Sequence, residues 1–154
     1  MAEFWIRPAR PPDGERLEAA LAQWLPADRA RLLTPGIPGE AAAGACFVAE
    51  SGSGGLAGFV ETIVAPDSPG VGYVHFIWVS PDYRMQGLGR GLYRRALRGL
   101  RARGCRCAAA VVSRDSPGAI AFHEHLGFRP SDDTGLAVEV PATGGQGVVY
   151  VLAI

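Results

Sequence analysis

Three observations predict an α/β fold, of the α+β kind, for this 154-residue chain. Two short apolar segments, Cys46 to Glu50 and Leu56 to Val64, flank a Gly/Ser turn at Ser51 to Gly55 and read as a hairpin. An apolar run, Val74 to Val79, passes through a polar turn into a glycine cluster and then a helical segment. A second strand–helix pair follows, so hairpins come first and strand–helix–strand–helix comes after.

The remaining elements follow in order. Phe4 to Ala9 alternates well enough for a first strand. Asp13 is placed to cap a helix whose apolar positions Leu17, Ala20, Leu21, Trp24 and Leu25 keep helical spacing, and Pro26 ends it. A helical turn is expected at Asp28 to Leu33, then loop from Thr34 to Gly39. Ala65 to Gly70 turns the chain into a central strand, Val71 to Val79. Gly89 to Arg103 reads as a helix with Leu92, Ala96 and Leu100 on one face and Arg90, Arg94, Arg98 and Arg101 on another. Cys107 to Val112 is a strand. The next helix has Ser116 at its N-cap, Pro117 at its first position and Gly127 just past its end. Leu136 to Val140 and Val148 to Ile154 read as closing strands. No repeat or long linker divides the chain, and its length suits one domain, 1–154.

Composition narrows the function classes. Formal net charge is zero, so no global field points to nucleic acid or membrane. No apolar run approaches a membrane span, and the N-terminal residues lack a signal-peptide core. Three cysteines, Cys46, Cys105 and Cys107, suit a reduced, cytoplasmic setting better than a disulfide scaffold. No metal is expected: Cys105-x-Cys107 lacks a second ligand pair, and His123 and His125 point to different sides of one helix.

The segment Val79-Ser80-Pro81-Asp82-Tyr83-Arg84-Met85-Gln86-Gly87-Leu88-Gly89-Arg90 carries the most chemistry. Glycines where a strand feeds a helix let backbone approach a ligand and leave N–H groups free at the helix N-terminus, which binds phosphate. A G-x-x-x-x-G-K-[ST] loop is excluded, because all 15 basic residues are arginine. A dinucleotide fingerprint is disfavoured: the spacing is Gly87-x-Gly89-x-Gly91, and the next strand holds no acid. What fits is R/Q-x-x-G-x-G/A, as Arg84-Met85-Gln86-Gly87-Leu88-Gly89. Nine arginines and no acid lie between Arg84 and Arg114. Arg84 and Arg90 are the ones expected near phosphate, while Arg98, Arg101 and Arg103 read as a solvated face. An RNA-binding patch would want more interleaved aromatics than Tyr93 alone.

With this loop the chain resembles the GNAT superfamily of N-acetyltransferases (acyl-CoA N-acyltransferases). A second segment supports the resemblance: Ser116-Pro117-Gly118-Ala119-Ile120-Ala121-Phe122-His123-Glu124-His125-Leu126-Gly127-Phe128 is similar to the family's N-x-x-A-x-x-L/F-Y-x-x-x-G-F helix. The resemblance covers most of the chain and is strongest from Val71 to Phe128. It implies the acyl-CoA N-acyltransferase fold, a mixed, mostly antiparallel sheet flanked by helices. It also implies acetyl-CoA as co-substrate, with its pyrophosphate on the backbone of Met85, Gln86, Gly87, Leu88, Gly89 and Arg90. The pantetheine arm would pair with Ile77, Trp78 and Val79 where the central strand splays from its neighbour.

The resemblance implies direct attack by an amine in a ternary complex, which needs a neutral amine, a polarised thioester and a route for protons. Many members place an acidic tyrosine where this chain has His123. A histidine cation could serve, and so could a histidine that only packs. Ser116 replaces the usual asparagine, either to bond the pantetheine arm or as a plain N-cap. His75, read as sharing a face with Val79, and Glu61 on the preceding strand are candidate bases. Val111 stands where ribosomal N-terminal acetyltransferases carry a glutamate, which counts against that acceptor class. The expected acceptor is a small-molecule primary amine, and a homodimer is allowed for. A protein lysine or N-terminus, or a catalytically silent acyl-CoA-binding domain, are the alternatives.

Overall fold

The structure, a computed structural model, describes residues 3–24, 26–27, 46–65, 70–131 and 147–154. The turn expected at 28–33, the loop at 34–39, most of the turn at 65–70 and the strand expected at 136–140 lie outside them.

Alternating and continuous apolar runs give seven strands among the described residues: β1 (Phe4–Pro8), β2 (Cys46–Ser51), β3 (Leu56–Val64), β4 (Val71–Val79), β5 (Cys107–Ser113), β6 (Arg129–Pro130) and β7 (Gly147–Ala153). They form one sheet in the order β1-β2-β3-β4-β5-β7-β6. Only β4 and β5 run parallel; the other neighbours are antiparallel. Among the described residues three helices flank it: α1 (Asp13–Trp24), α2 (Leu88–Ala102) and α3 (Pro117–His125). The strand and helix ends fall within a residue or two of the expected ones. The two-residue β6 was not anticipated, because Arg129-Pro130 has no strand signature of its own.

Each face of the sheet buries its own core. Leu92, Ala96 and Leu100 of α2 are fully buried with Val60, Ala108 and Phe128, while Arg90, Arg94, Arg98 and Arg101 face solvent. This is the division the helical spacing requires. Leu17 and Leu21 of α1 pack on the opposite face with Val48 and Phe59. Close approach of α2 depends on Gly72, where a Cβ would collide with Leu100. Any side chain there would force the buried Leu100 side chain out of its place between helix and sheet.

Asp13 does not cap α1 from outside, as its position before the apolar stripe suggested. It is the first helical residue, and its carboxylate turns back to accept from Arg7 at 2.7 and 3.0 Å, Arg16 at 3.0 Å and the Arg10 N–H at 2.7 Å. Glu50 of β2 joins through Arg7 at 2.9 Å and Arg16 at 2.8 Å. Two guanidinium forks offer more donors than one helix end can, so the carboxylate serves the cluster and ties β1, α1 and β2 together. The Arg7 hydrogen bonds hold Asp13 down to about 2.

Two register features shape the site. The β4–β5 ladder runs only from Val71↔Cys107 to Tyr73↔Ala109, whereas β5 stays paired with β7 as far as Ser113↔Gly147. Beyond Tyr73 the two parallel strands therefore part. In the β3–β4 ladder Glu61 faces Phe76 but Thr62 faces Val74, so His75 is the extra residue of a β-bulge.

Candidate active site

The glycine-rich loop follows β4 through a single 3₁₀ turn, Pro81–Tyr83. Met85 (φ 60°) and Gly87 (φ 82°) both take left-handed backbone, which curls the chain into the start of α2. Gly87 is the N-cap residue and no side chain caps the helix. The first turn-closing bond is Gly91 N–H to Gly87 O at 3.1 Å, so the N–H groups of Leu88, Gly89 and Arg90 precede any intrahelical partner. Those donors and the helix dipole make an anion site.

Beside them lies a cavity of about 490 Å³. Its apolar wall is Ile77 and Val79 of β4, Leu88 of α2 and Phe122 of α3, and Arg84 and Arg90 supply positive charge. Met85, Gly87 and Gly89 complete the loop side. A Cβ at Gly89 would stand in ordinary contact, 3.4 Å from Phe122 and 3.8 Å from Val79, so a longer side chain there would project into the cavity where it meets the helix. Arg84 donates to the Val79 carbonyl at 3.0 Å and lies 4.8 Å above the Trp78 ring, pinning the loop to the strand end.

Other residues of the expected set stand apart from the cavity. The Gln86 side chain turns back to the Asp82 carbonyl at 3.4 Å. Trp78 points to the α1 face, stacked on Trp24 with centroids 6.4 Å apart. Only its backbone is on the splayed stretch. Ser116 sits at the α3 N-cap position, yet its hydroxyl makes no capping bond. Phe122 is the wall residue that sequence reasoning did not single out. Its signal was there, in the L/F position directly before His123.

His75 also differs from expectation. Val74, Ile77 and Val79 all pack on the α2 side, whereas Phe76 and Trp78 pack on the α1 side. The step from Val74 to Ile77 breaks alternation at His75, so the bulge removes it from the face of Val79. Its Nδ1 lies 3.4 Å from Glu61 Oε1, and Glu61 is directly opposite Phe76. The Glu61 side chain is 3% exposed and that of His75 22%. The pair thus occupies the α1 face at the point where β4 leaves β5.

His123 does not turn its ring toward the cavity. Its Nδ1 donates to the Ala119 carbonyl at 2.7 Å, and its Nε2 accepts from the Tyr93 hydroxyl at 2.5 Å. Only a carbonyl faces Nδ1, which sets this tautomer. Tyr93, Phe122 and Phe128 surround the ring at centroid distances of 5.3 to 5.6 Å. Burial lowers the His123 pKa from its ordinary value, so the imidazole is neutral at neutral pH. An imidazolium poised to protonate a thiolate is therefore not what this position holds. Among the described residues no group of three or more His, Cys, Asp or Glu could hold a metal ion, and no helix is long and apolar enough to cross a membrane.

Comparison with known proteins matches this geometry. The family model described as the acetyltransferase (GNAT) family covers residues 3–128. Mycothiol acetyltransferase of Saccharomonospora viridis is 39% identical over 88 residues, which is 53% of this chain and 29% of that protein. The match thus spans under a third of the length of that relative. The crystal structure of nourseothricin acetyltransferase aligns at TM-score 0.59 and 29% identity, covering 70% of this chain and 64% of that one. The PaiA N-acetyltransferase of Thermoplasma acidophilum, solved with coenzyme A, shares the fold over 99% of both chains at TM-score 0.74 and 16% identity. With a sheet parted at β4 and β5, a glycine-opened α2 beside the cleft and a family match over most of its length, the chain belongs to the acetyltransferase (GNAT) family of acyl-CoA-dependent acyltransferases.

Proposed function

We propose that this chain transfers an acetyl group from acetyl-CoA to a primary amine of a small molecule, by direct attack in a ternary complex. The observation that carries this is the two-sided opening beyond Tyr73, with an anion site and cavity on the α2 face and His75–Glu61 on the α1 face. Relatives named for mycothiol and nourseothricin support a small acceptor.

The residues fit acetyl-CoA. Backbone from Met85 to Arg90 takes the pyrophosphate, with Arg84 and Arg90 adding charge. Ile77 and Val79 offer strand edge and apolar surface to the pantetheine arm, with Trp78 contributing backbone alone, while Ser116 stands outside the cavity lining and keeps only its place at the start of α3. The cosubstrate supplies an activated acyl carbon and a good leaving group. His75 takes the proton of the incoming ammonium, and the Glu61 carboxylate beside it stabilises the imidazolium that forms. The neutral amine then forms the N–C bond as the C–S bond breaks. The departing thiolate, whose reference pKa is near 8.5, takes up through water the proton that the acylated nitrogen sheds; His123 is not the donor, because its Nδ1–H is held by the Ala119 carbonyl and its Nε2 accepts from Tyr93.

The buried His123 also favours a second reading, an acyl-CoA-binding domain without turnover. Two measurements separate the readings. Acetyl-CoA should raise the thermal midpoint well above the effect of NADH or ATP, since a ligand that binds only the folded state stabilises it. Equal shifts from all three would remove the cofactor assignment. Binding without thiol release on any amine would favour the silent domain.

A further inference from the structure

We infer that Tyr93 and His123 form a positioning pair that fixes the width of the acyl-coenzyme cavity. The inference rests on the proposed reading of that cavity. Tyr93 lies on the first turns of α2, the helix that opens the phosphate loop, and is 1% exposed. His123 lies on α3 directly after Phe122, the residue that forms the opposite wall. The Tyr93 hydroxyl to His123 Nε2 bond therefore joins the two walls across 30 residues of sequence.

Four further contacts make the joint rigid. His123 Nδ1–H is held by its own helix at the Ala119 carbonyl. The His123 carbonyl accepts the Phe128 N–H at 3.1 Å, and the Gly127 N–H reaches Glu124 O at 3.0 Å, with Gly127 at φ 97°. That paired termination closes α3 and seats Phe128 against the ring. Tyr93 meets Phe122 edge-on, with centroids 5.6 Å apart, so the same hydroxyl-bearing ring also supports the wall residue. Both imidazole nitrogens are used, leaving no rotation that keeps both bonds. Losing the hydroxyl would strand Nε2 in an apolar pocket, and α3 would shift to relieve it.

The test compares acetyl-CoA affinity with turnover in three variants, each checked for a cooperative thermal transition. Tyr93→Phe keeps the ring and removes the bond. It is expected to raise the KM and the calorimetric Kd for acetyl-CoA about fivefold or more, with kcat within about twofold. His123→Leu fills the pocket without hydrogen bonding and is expected to do the same, which covers a failure of Tyr93→Phe to fold. His123→Gln, which keeps an acceptor for Tyr93 and a donor for Ala119, is expected to stay near wild type in both. An unchanged KM in Tyr93→Phe would overturn the inference, as would a tenfold lower kcat at unchanged KM in His123→Gln, which would mark an acid. If the wild-type protein binds no acetyl-CoA, the cofactor reading fails and takes the pair's role with it. If wild type and Tyr93→Phe bind equally, only the pair's role fails.

Discussion

β4 carries the proposed coenzyme cavity on one face and the His75–Glu61 pair on the other, and the two sides are built by different means. The cavity side depends on backbone: two left-handed residues, an uncapped helix start and a glycine whose Cβ position borders Phe122 and Val79. Nearly all of it lies within one contiguous stretch. The other side depends on side chains that meet only because β3 and β4 pair with one extra residue at His75. A backbone site is robust to side-chain drift and recognises what every acyl-CoA shares. A side-chain site set by register changes with single substitutions, as the proposed acceptor side would need in order to select among amines.

The largest expected effect is on the backbone side. Gly89→Glu places a side chain within reach of Phe122 and a negative charge at the helix N-terminus. Acetyl-CoA binding should fall at least about 100-fold, with the unliganded protein still folding cooperatively. Wild-type affinity in this variant would mean the phosphate loop is misplaced.

On the other face, Glu61→Gln should lower kcat about 10- to 100-fold at neutral pH while leaving the Kd for acetyl-CoA within twofold; this lies at or below the lower edge of the roughly 10²–10⁴ range for proton transfer, because Glu61 acts through His75. His75→Ala should lower kcat similarly, and rising pH should recover part of the loss as the free amine accumulates in solution. If either variant weakened coenzyme binding as much as turnover, the two faces would not be separable.

Away from both faces, Asp13→Asn should cost about 1–3 kcal/mol of folding stability, from the depth of its depressed pKa. The sign follows from that depression. The unfolded carboxyl titrates near 3.8 and the folded one near 2, so the contribution is complete above 3.8 and lost as pH falls through 2. The Asn variant should show a flatter acid limb in chemical denaturation between those values. The smallest effect belongs to His123. Its folded pKa is lowered, so stability should decline as pH drops below about 6.5, where the unfolded chain binds the proton first. His123→Gln should lack this decline.

The contrast between the faces also explains what could be read from sequence. Gly87, Gly89 and the Ser116–Pro117…Gly127 frame are local signals, and they marked the loop, α2 and α3 to within a residue or two. His75 could not be placed by counting residues along β4, because a bulge is a property of two strands and not of one. Asp13 looked like a cap, since its partners Arg7 and Arg16 are recognisable only once Glu50, 43 residues beyond Arg7, is folded against them. His123 matched the motif's tyrosine position, but the Tyr93 hydroxyl that turns its ring inward comes from another helix. Phe122 was visible in the motif and passed over because an apolar residue next to a titratable one reads as packing.

The central claim is acetyl transfer to an amine through this opening, and thiol release from acetyl-CoA across a panel of small primary amines tests it most directly. The account predicts at least one acceptor that releases thiol stoichiometrically with N-acetyl product, with the rate abolished in Gly89→Glu and strongly reduced in Glu61→Gln. Saturable acetyl-CoA binding with no thiol release from any amine in the panel, or release that survives in Gly89→Glu, would contradict it.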